Sequence, residues 1–436
     1  MSKRDELALL QSGKLAGATR LDLSYGLTEV PEEVFELADT LEILDLSNNC
    51  LTDLPDDLAR LSKLRVLFCS QNDFQHLPPV IGSLPGLRML GFKSNRIGMV
   101  DEASLPPSLR WLILTDNRIK RLPASLGKCL PLQKLMLAGN HLAELPEEMA
   151  ACVNLELVRL AANRFESLPP WLFELPRLSW LAYSGNPMCG PIPSTECQRI
   201  DWADLEPGEK LGEGASGIIH RATSNRTGAE VAVKVFKGAM TSDGLPASEK
   251  AACLAAGRHR HLVPVLGEIV GHPEGATGLV MELINSDFTN LASPPNFESC
   301  TRDVYQEGAR FPSSTVIQIA LGIAETARTL HAKGIMHGDL YAHNILENGN
   351  GGCLLGDFGA ATFYRDGEPL EQIEARAFGC LLEELLERMD GGASERPVLE
   401  DLMRQCLRDE PATRPGFAAI AGVLGDLGNG RSVWDP

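Results

Sequence analysis

Apolar side chains recur at fixed intervals through the first two hundred residues. Each unit has an apolar residue, two spacers, a second apolar residue, one spacer and a third apolar residue, and an asparagine usually follows three positions later. Alternating apolar positions over so short a stretch predict a β-strand with one buried face. The units start 22 or 23 residues apart, at Ala18, Leu41, Leu64, Leu87, Leu109, Leu132, Leu155 and Leu178. Because one unit cannot bury its apolar face alone, the units are expected to stack on one another.

This repeat resembles that of the leucine-rich repeat family over roughly residues 15–190. The resemblance implies a curved solenoid in which each asparagine side chain bonds backbone groups where its strand turns. Exposed ends of such an array need covering, and residues 4–12 and 185–189 are the expected caps. One unit has Val100 and Asp101 where Leu-Pro follows in others, so a local irregularity is predicted there.

Side chains between the leucines are expected to point outward on the concave face of such a solenoid. Two adjacent columns are mostly apolar, namely Ile43, Val66, Met89 and Trp111, and Phe68, Gly91, Ile113 and Met136. An exposed apolar strip marks a binding surface, so a protein substrate or regulator is the expected partner. Two alternatives stay open: these side chains pack on each other, or they contact the second domain of the same chain.

Composition narrows the choice of partners and of cellular compartment. The net charge is −18, of which −4 falls in residues 1–200 and −14 in residues 201–436. Such an acidic chain is not expected to bind nucleic acid or an anionic membrane. The eleven cysteines include no CxxC pair, which favours reduced thiols and a cytoplasmic location. We find no signal peptide and no apolar run long enough to span a membrane.

The second half carries a different set of motifs. A glycine-rich turn at 211–219 is followed by Val231–Val235, which has the pattern of a strand. A dinucleotide-binding turn would be followed by a helix, so that interpretation is rejected. Further along, Asp339 precedes Asn344 by five residues, and Asp357 is followed by Phe-Gly. Two carboxylates and an amide can position a hydroxyl nucleophile and hold a divalent metal on a phosphate.

In this order and spacing the motifs resemble those of protein kinases. The resemblance implies a two-lobed α+β domain that uses ATP and Mg²⁺. By that resemblance, Asp339 accepts or orients the proton of the substrate hydroxyl, and Lys234 bonds the α- and β-phosphates. Asn344 and Asp357 hold Mg²⁺, and Asn344 is counted with the catalytic residues. The residues expected around the nucleotide are Leu211, Gly212, Gly214, Gly217, Ile219, Ala232, Lys234, Glu249, Met281, Glu282, Leu283 and Leu346.

The roles of Glu249 and His343 each have an alternative. Glu249 is the expected ion-pair partner of Lys234, although it lies one residue further upstream than the family spacing suggests. Its alternative is a solvated acid at the start of a helix. His343 and Tyr341 stand where the family has a lysine or arginine for the γ-phosphate. A protonated His343 would supply that charge; the alternative is a packing or hydrogen-bonding role.

The chain also departs from the family near the catalytic loop. Gly338 replaces the arginine that usually receives a phosphorylated activation loop. Phe378-Gly379 resembles the entry to the central helix, which leaves about fourteen residues after Asp-Phe-Gly. Thr362 and Tyr364 carry the hydroxyls of that connection. There is no Ala-Pro-Glu, so Arg414, its usual partner, is expected to find another acid. Control by phosphorylation of this connection is therefore not expected.

The sequence thus predicts an α/β multidomain protein, with a leucine-rich repeat solenoid in residues 1–190, a linker in 191–204 and a kinase-like domain in 205–428. We expect a Ser/Thr protein kinase whose repeats bind substrate or regulator, with contact between the repeats and the kinase domain as an open alternative. Two alternatives stay open. The His-Gly-Asp-Leu motif and the short connection also suit a small-molecule phosphotransferase of the aminoglycoside or choline kinase type. The lost accessory residues also suit a pseudokinase scaffold.

Overall fold

The computed structural model describes residues 3–214, 216–238, 240–365 and 367–428. Their contacts form two compact units. The first comprises the described residues up to Leu175 together with Asn186–Met188. The second comprises Pro176–Gly185 and the described residues from Cys189 onward. The segment Pro176–Gly185, which belongs to the last repeat in the sequence pattern, is thus grouped with the second unit.

The first unit consists of short strands between two helices. In chain order its elements are α1 (Lys3–Gln11), β1 (Arg20–Asp22), β2 (Ile43–Asp45), β3 (Val66–Phe68), β4 (His76–Leu77), β5 (Met89–Gly91), β6 (Met99–Val100), β7 (Trp111–Ile113), β8 (Lys134–Met136), β9 (Leu157–Arg159) and α2 (Pro170–Glu174). The strands β1, β2, β3, β5, β7, β8 and β9 pair in parallel, each in register with the next. The expected stacking of units is thus present within this part of the chain.

Short 3-10 helices connect the paired strands. They span Glu32–Leu37, Asp56–Arg60, Pro79–Ser83, Glu102–Ser104, Ala124–Lys128 and Glu147–Ala151. A proline stands directly before most of them, as at Pro55 and Pro146. Proline fixes the backbone angle φ and fits the first turn of a helix but not its interior, which favours short turns here.

In every unit after the first, an asparagine connects that unit to the one before it. Asn140 donates from Nδ2 to the carbonyls of Leu114 and Leu137, at 2.9 and 3.0 Å, and its Oδ1 accepts from the Ile119 amide at 3.0 Å. Bonds of this kind recur at Asn49, Asn72, Asn95, Asn117, Asn163 and Asn186. The expectation that these side chains bond the backbone where a strand turns is confirmed.

The predicted irregularity is also present. At Val100 and Asp101 the regular Leu-Pro is replaced by an additional strand, β6, which pairs in parallel with β4. The helical turn that follows, Glu102–Ser104, has only three residues. Asp101 caps this turn by accepting a hydrogen bond from the Ala103 amide.

The apolar columns are less exposed than expected. Val66 and Met89 are only 7% and 4% exposed. Parallel strands in register lie close enough for side chains of one column to cover each other. Phe68 fills the space above Gly91, where an added Cβ would lie 2.5 Å from the Phe68 ring. The expected exposure is therefore wrong for Val66, Met89 and Gly91, whereas Ile43, Phe68, Trp111, Ile113 and Met136 stay partly exposed.

The second unit contains the remaining strands and helices. They are β10 (Trp180–Ala182), β11 (Arg199–Asp201), β12 (Leu205–Glu213), β13 (Gly217–Ser224), β14 (Glu230–Phe236), α3 (Pro246–Ala256), β15 (Val265–Val270), β16 (Gly278–Glu282), β17 (Thr289–Asn290), β18 (Phe311–Pro312), α4 (Ser313–His331), β19 (Ile335–Met336), β20 (Ile345–Glu347), β21 (Cys353–Leu355), β22 (Thr362–Phe363), α5 (Leu370–Glu387), β23 (Met389–Asp390), α6 (Arg396–Cys406) and α7 (Phe417–Gly428). Strand β11 lies within residues 191–204, the predicted linker.

A six-stranded sheet carries the glycine-rich turn and Lys234. Its order is β11-β15-β16-β14-β13-β12. The strand expected at Val231–Val235 is the inner part of β14, which lies between β13 and β16. One face of the sheet buries a cluster made of Leu205, Ala222, Val231, Val233, Ile269 and Val280. This cluster fixes β14, so the backbone that carries Lys234 is held on both edges.

The central helix begins earlier than expected. Helix α5 starts at Leu370, so Phe378-Gly379 lies inside it and is not its entry. The glycine serves close packing instead, because an added Cβ at Gly379 would lie 2.8 Å from the Cys406 side chain on α6. The connection after Gly359 therefore spans residues 360–369, which makes it shorter than the sequence analysis expected.

None of the helices in the described part of the chain combines the length and the apolarity that crossing a membrane requires.

Replacing one asparagine of the repeat ladder is expected to lower stability strongly. Asn140→Ala removes three buried hydrogen bonds and leaves backbone groups without partners, at a cost of about 1–3 kcal/mol for each buried group left unsatisfied. Urea unfolding should give a loss of at least about 2 kcal/mol. Asn154→Ala is the control, since Asn154 lies near the surface, where its amide nitrogen donates to the Leu130 carbonyl. If both variants lost the same small amount of unfolding free energy, the structural role of the asparagine ladder would be contradicted.

Candidate active site

One cavity in the second unit gathers most of the residues expected around a nucleotide. It has a volume of about 820 Å³ and lies between the six-stranded sheet and the loops that follow β19 and β21. The expected residues that line it are Leu211, Gly212, Gly214, Ile219, Ala232, Lys234, Glu249, Met281, Glu282, Leu283, Asn344, Leu346 and Asp357. Gly217 and Asp339 are not in its lining, but both are hydrogen-bonded to residues that are, Gly214 and Asn344. Ala215 lies outside the described residues.

A buried lysine lies at the inner end of this cavity. Lys234 on β14 forms an ion pair with Glu249, which stands in the first turn of α3 and is 2% exposed. Its Nζ also lies 4.0 Å from Oδ1 of Asp357. Burial opposes the charge of the lysine, but the two carboxylates outweigh burial and raise its pKa. Lys234 is therefore held as a cation beside Asp357, and Glu249 is not a solvated residue.

Asp339 and Asn344 are joined directly. The Asn344 amide nitrogen donates to the backbone carbonyl of Asp339 at 2.9 Å and to its carboxylate at 3.0 Å. Because both bonds use the nitrogen, the amide oxygen of Asn344 is not consumed by them. The two residues expected to share the catalytic loop thus form one hydrogen-bonded turn.

The backbone at Asp357 is strained. Its φ is +49°, a conformation that residues other than glycine seldom adopt. Its Oδ1 accepts a hydrogen bond from the Gly359 amide at 3.2 Å. Strain of this kind costs about 1–3 kcal/mol and persists where the surrounding structure enforces it, frequently at functional sites. The conformation turns the carboxylate towards the cavity and Lys234.

A carboxylate that the sequence analysis did not single out supports the catalytic loop. Glu374 on α5 accepts hydrogen bonds from the amides of His337 and Gly338, at 3.2 and 2.7 Å. Its Oε2 lies 2.8 Å from Nε2 of His331. Burial opposes ionisation of Glu374, but His331 and the loop groups lower its pKa below the usual carboxyl value. Glu374 thus stays ionised and orients the two residues before Asp339.

His337 itself has a structural position. Its ring is fully buried, its Nε2 lies 2.8 Å from the Gly356 carbonyl, and it packs against Phe358. It therefore joins the catalytic loop to the Asp-Phe-Gly segment.

His343 has a partner from a segment that received no role in the sequence analysis. Asp303 accepts from the His343 backbone amide at 2.9 Å and lies 2.7 Å from its Nδ1. Burial opposes protonation of His343, but Asp303 outweighs burial and raises the pKa of the imidazole. Asp303 stands between β17 and β18, and only its spatial neighbours reveal its role. A cation at His343 next to Asn344 is thus supported by a buried acid.

The remaining departures from the family have local explanations. Thr362 is fully buried, and the Tyr364 hydroxyl lies 2.7 Å from Nδ1 of His331, so both hydroxyls of the short connection are engaged. Arg414 does not bond the acid that was expected. Its guanidinium donates to three backbone carbonyls, those of Arg408, Gln372 and Pro176.

The donor set at the cavity fits a nucleotide with magnesium. An amide oxygen at Asn344 and a carboxylate at Asp357 supply hard oxygen ligands, and Mg²⁺ is commonly held by one or two protein ligands together with substrate phosphates and water. Lys234 adds a fixed positive charge where phosphate groups would lie. The apolar side chains of Ile219 and Leu346 in the same lining suit an aromatic base.

Comparison with known proteins identifies both parts of the chain. The family model described as "Protein kinase domain" matches residues 205–380, and the one described as "Leucine rich repeat" matches residues 18–74. The chain therefore contains a leucine-rich repeat region and a protein kinase domain, and it is an α/β multidomain protein.

The curated relatives that this chain matches include protein kinases. Cyclin-dependent kinase G-2 of Oryza sativa subsp. indica is 25% identical over 52% of this chain and 34% of its own length. Serine/threonine-protein kinase bur1 of Neurospora crassa is 31% identical over 40% of this chain and 30% of its own length. The chain thus spans about a third of the length of these relatives. A solved leucine-rich repeat protein of Leptospira interrogans is 29% identical over 37% of this chain and 47% of its own, with a TM-score of 0.32, too low to bear on the fold.

Neutralising Glu374 is expected to destabilise the protein at neutral pH. Glu374→Gln keeps the shape but removes the charge that accepts two buried amides, and charge-assisted bonds contribute about 1.5–3 kcal/mol each. Urea unfolding at pH 7 should show a loss of about 2 kcal/mol or more. Glu383→Gln, a more exposed position on the same helix, should change little.

The pH dependence of that loss has a definite sign. Since the folded-state pKa of Glu374 is lowered, its charge contributes stability above the unfolded pKa, which is about 4.3 for a glutamate. The contribution is lost as pH falls through the folded pKa. The gap between wild type and Glu374→Gln should therefore narrow in acid. A gap that widens there would contradict the assignment.

Proposed function

We propose that the protein is an ATP- and Mg²⁺-dependent Ser/Thr protein kinase whose repeats recruit a protein substrate or regulator. The supporting observation is the convergence of Lys234, Glu249 and Asp357 at one cavity, with the bonded pair Asp339 and Asn344 at its edge. We also propose the domain limits drawn from the sequence, residues 1–190 and 205–428, the solenoid form of the repeats, the two-lobed form of the kinase domain and a cytoplasmic location.

Each residue of this group has a part in phosphoryl transfer. Lys234, held by Glu249, binds the α- and β-phosphates and fixes the nucleotide. Asn344 and Asp357 would hold Mg²⁺, which would neutralise charge on the phosphate oxygens. Asp339 orients the substrate hydroxyl and takes its proton. Asn344 also fixes Asp339 through its hydrogen bond. In this class of reaction, rate acceleration comes mainly from positioning and electrostatic stabilisation.

Labelled ATP with Mg²⁺ tests the proposal directly. Purified protein is offered generic protein substrates and then small hydroxyl or amine compounds. Wild type should transfer label to protein, and Asp339→Asn should reduce the rate at least about a hundredfold, since general base catalysis contributes about 10²–10⁴. Asp390→Asn is the matched control, because this exposed aspartate lies on β23 and is not part of the cavity lining.

The same experiment separates the other candidate functions. Turnover of small acceptors alone would contradict a protein kinase and favour a small-molecule phosphotransferase. Nucleotide binding without any transfer would favour a pseudokinase scaffold. Equal rates for wild type and Asp339→Asn would remove Asp339 from the reaction.

The repeats are proposed to bind their partner through the part of the apolar columns that stays exposed. Ile43, Phe68, Trp111, Ile113 and Met136 are all partly exposed on strands that run side by side. Lys134 Nζ lies 4.2 Å from the centre of the Trp111 ring, but Lys134 is itself buried, so the exposed part of the strip is apolar. A partly exposed apolar strip of this kind favours a protein partner.

A charge placed in this strip should weaken substrate recognition alone. Ile113→Asp is expected to raise KM about tenfold for the protein substrate found by labelling, because an apolar contact is replaced by a desolvated charge. KM for ATP should stay unchanged. Leu130→Asp, on an exposed leucine outside the two columns, is the matched control. An unchanged KM for the protein would contradict a substrate-binding role of this face.

A further inference from the structure

The segment Pro176–Gly185 contacts the loop that carries Asp339. The indole Nε1–H of Trp180 donates to the Leu340 carbonyl at 3.0 Å. The ring stacks on Tyr341, with 4.1 Å between ring centres and 8° between planes. Trp180 is 1% exposed, so these contacts are fully desolvated. One side chain thus holds the two residues that follow Asp339.

The same strand lies directly against Gly338, the residue before Asp339. Gly338 has a φ of +73°, and an added Cβ there would lie 2.8 Å from the Leu181 carbonyl and 2.6 Å from the Ala360 carbonyl. Backbone on both sides therefore leaves no room for a side chain. The loop is held on both sides of Asp339, at Gly338 by Leu181 and at the following two residues by Trp180.

The segment also fixes the short connection after Asp-Phe-Gly. The Tyr183 amide donates to Oγ1 of Thr362 at 3.4 Å, and the Tyr183 hydroxyl donates to Glu368 at 3.1 Å. Burial raises the pKa of the Tyr183 hydroxyl, with Glu368 adding to the rise, so this hydroxyl keeps its proton. The catalytic loop and the connection are therefore held by neighbouring residues of one segment.

Two buried guanidinium groups anchor the segment. Arg376 donates to Oγ of Ser179 at 2.8 Å, and Arg414 donates to the carbonyl of Pro176 at 2.8 Å. Both arginines are buried. Moving the segment away would take an acceptor from each buried cation, which is costly in a medium of low polarity. The segment is thus a fixed part of the second unit.

We propose that Trp180 is a positioning residue for phosphoryl transfer. The proposal rests on the proposed kinase function: Trp180 sets where Asp339 lies by holding Leu340 and Tyr341. The position of Asp339 is then built by a strand of the same chain and needs no phosphate on residues 360–369. A small displacement of a catalytic group lowers the reaction rate strongly. Loss of the hydrogen bond from the Trp180 indole to the Leu340 carbonyl should therefore lower kcat.

Trp180→Phe tests this with little disturbance. Phenylalanine keeps a ring to stack on Tyr341 but has no N–H for the Leu340 carbonyl. We expect kcat to fall between about fivefold and a hundredfold. KM for ATP and the affinity for Mg-ATP should stay within about twofold, because Trp180 is not in the cavity lining. A purely structural residue would not produce this split between kcat and KM.

Trp171→Phe is the matched control. Trp171 is a buried tryptophan of α2 in the first unit, and its indole nitrogen has no hydrogen-bond partner among the described residues. The same substitution there should leave kcat unchanged. Should Trp180→Phe fail to fold, Tyr341→Leu removes the stacking surface from the side of the loop, and the same fall in kcat is expected. An unchanged kcat in the variant that folds would overturn the proposal.

Hydrogen exchange separates this proposal from the proposed function. In Trp180→Phe, a peptide covering residues 337–344 should exchange faster than in wild type and in Trp171→Phe, because the loop loses a constraint. Phosphate transfer by wild type with full kcat in Trp180→Phe would leave the kinase function standing and remove the positioning role. If wild type transfers no phosphate, the proposed kinase function is wrong. If, in addition, residues 337–344 exchange at the same rate in Trp180→Phe and in wild type, Trp180 does not position the loop either.

Discussion

The turn that carries Asp339 depends on one buried carboxylate. Glu374 accepts the amides of His337 and Gly338 and lies against His331. An ionised group without solvent is tolerated only when donors surround it, so this arrangement fixes α5, the end of α4 and the catalytic loop relative to each other. Asn344 then joins Asp339 to the cavity. The position of Asp339 is thus set from the core outward.

Buried polar side chains that satisfy backbone groups are common to both units. In the repeats an asparagine of each unit accepts and donates across the strand turn, so the ladder of parallel strands keeps its register. In the second unit Glu374 does this for the catalytic loop, and Asp303 does it for the backbone amide and ring of His343. Each of these side chains costs free energy to bury and contributes specificity because it fits a single backbone arrangement.

Local patterns predicted much of the fold. The spacing of leucines predicted short stacked strands, and the resemblance to leucine-rich repeats implied that the asparagines bond the backbone where a strand turns. The replacement at Val100 predicted an irregularity that is present as β6. The strand bearing Lys234 was also predicted, because a short apolar run with a glycine-rich turn before it has few other interpretations. The start of α5 was predicted wrongly. Gly379 resembled the entry of a helix, but it lies inside α5 and allows close contact with α6. A glycine motif alone does not distinguish these two uses.

The sequence by itself determined the repeat unit, the order of the two regions and the candidate chemical groups, since these follow from residue spacing along the chain. Only the tertiary structure decided which groups meet. Asp303 and His343 are forty residues apart, and Trp180 and Leu340 are separated by 160. No periodicity connects such pairs, because their contact depends on how whole elements pack. For the same reason burial of Val66 and Met89 followed from neighbouring strands and not from their own positions in the repeat.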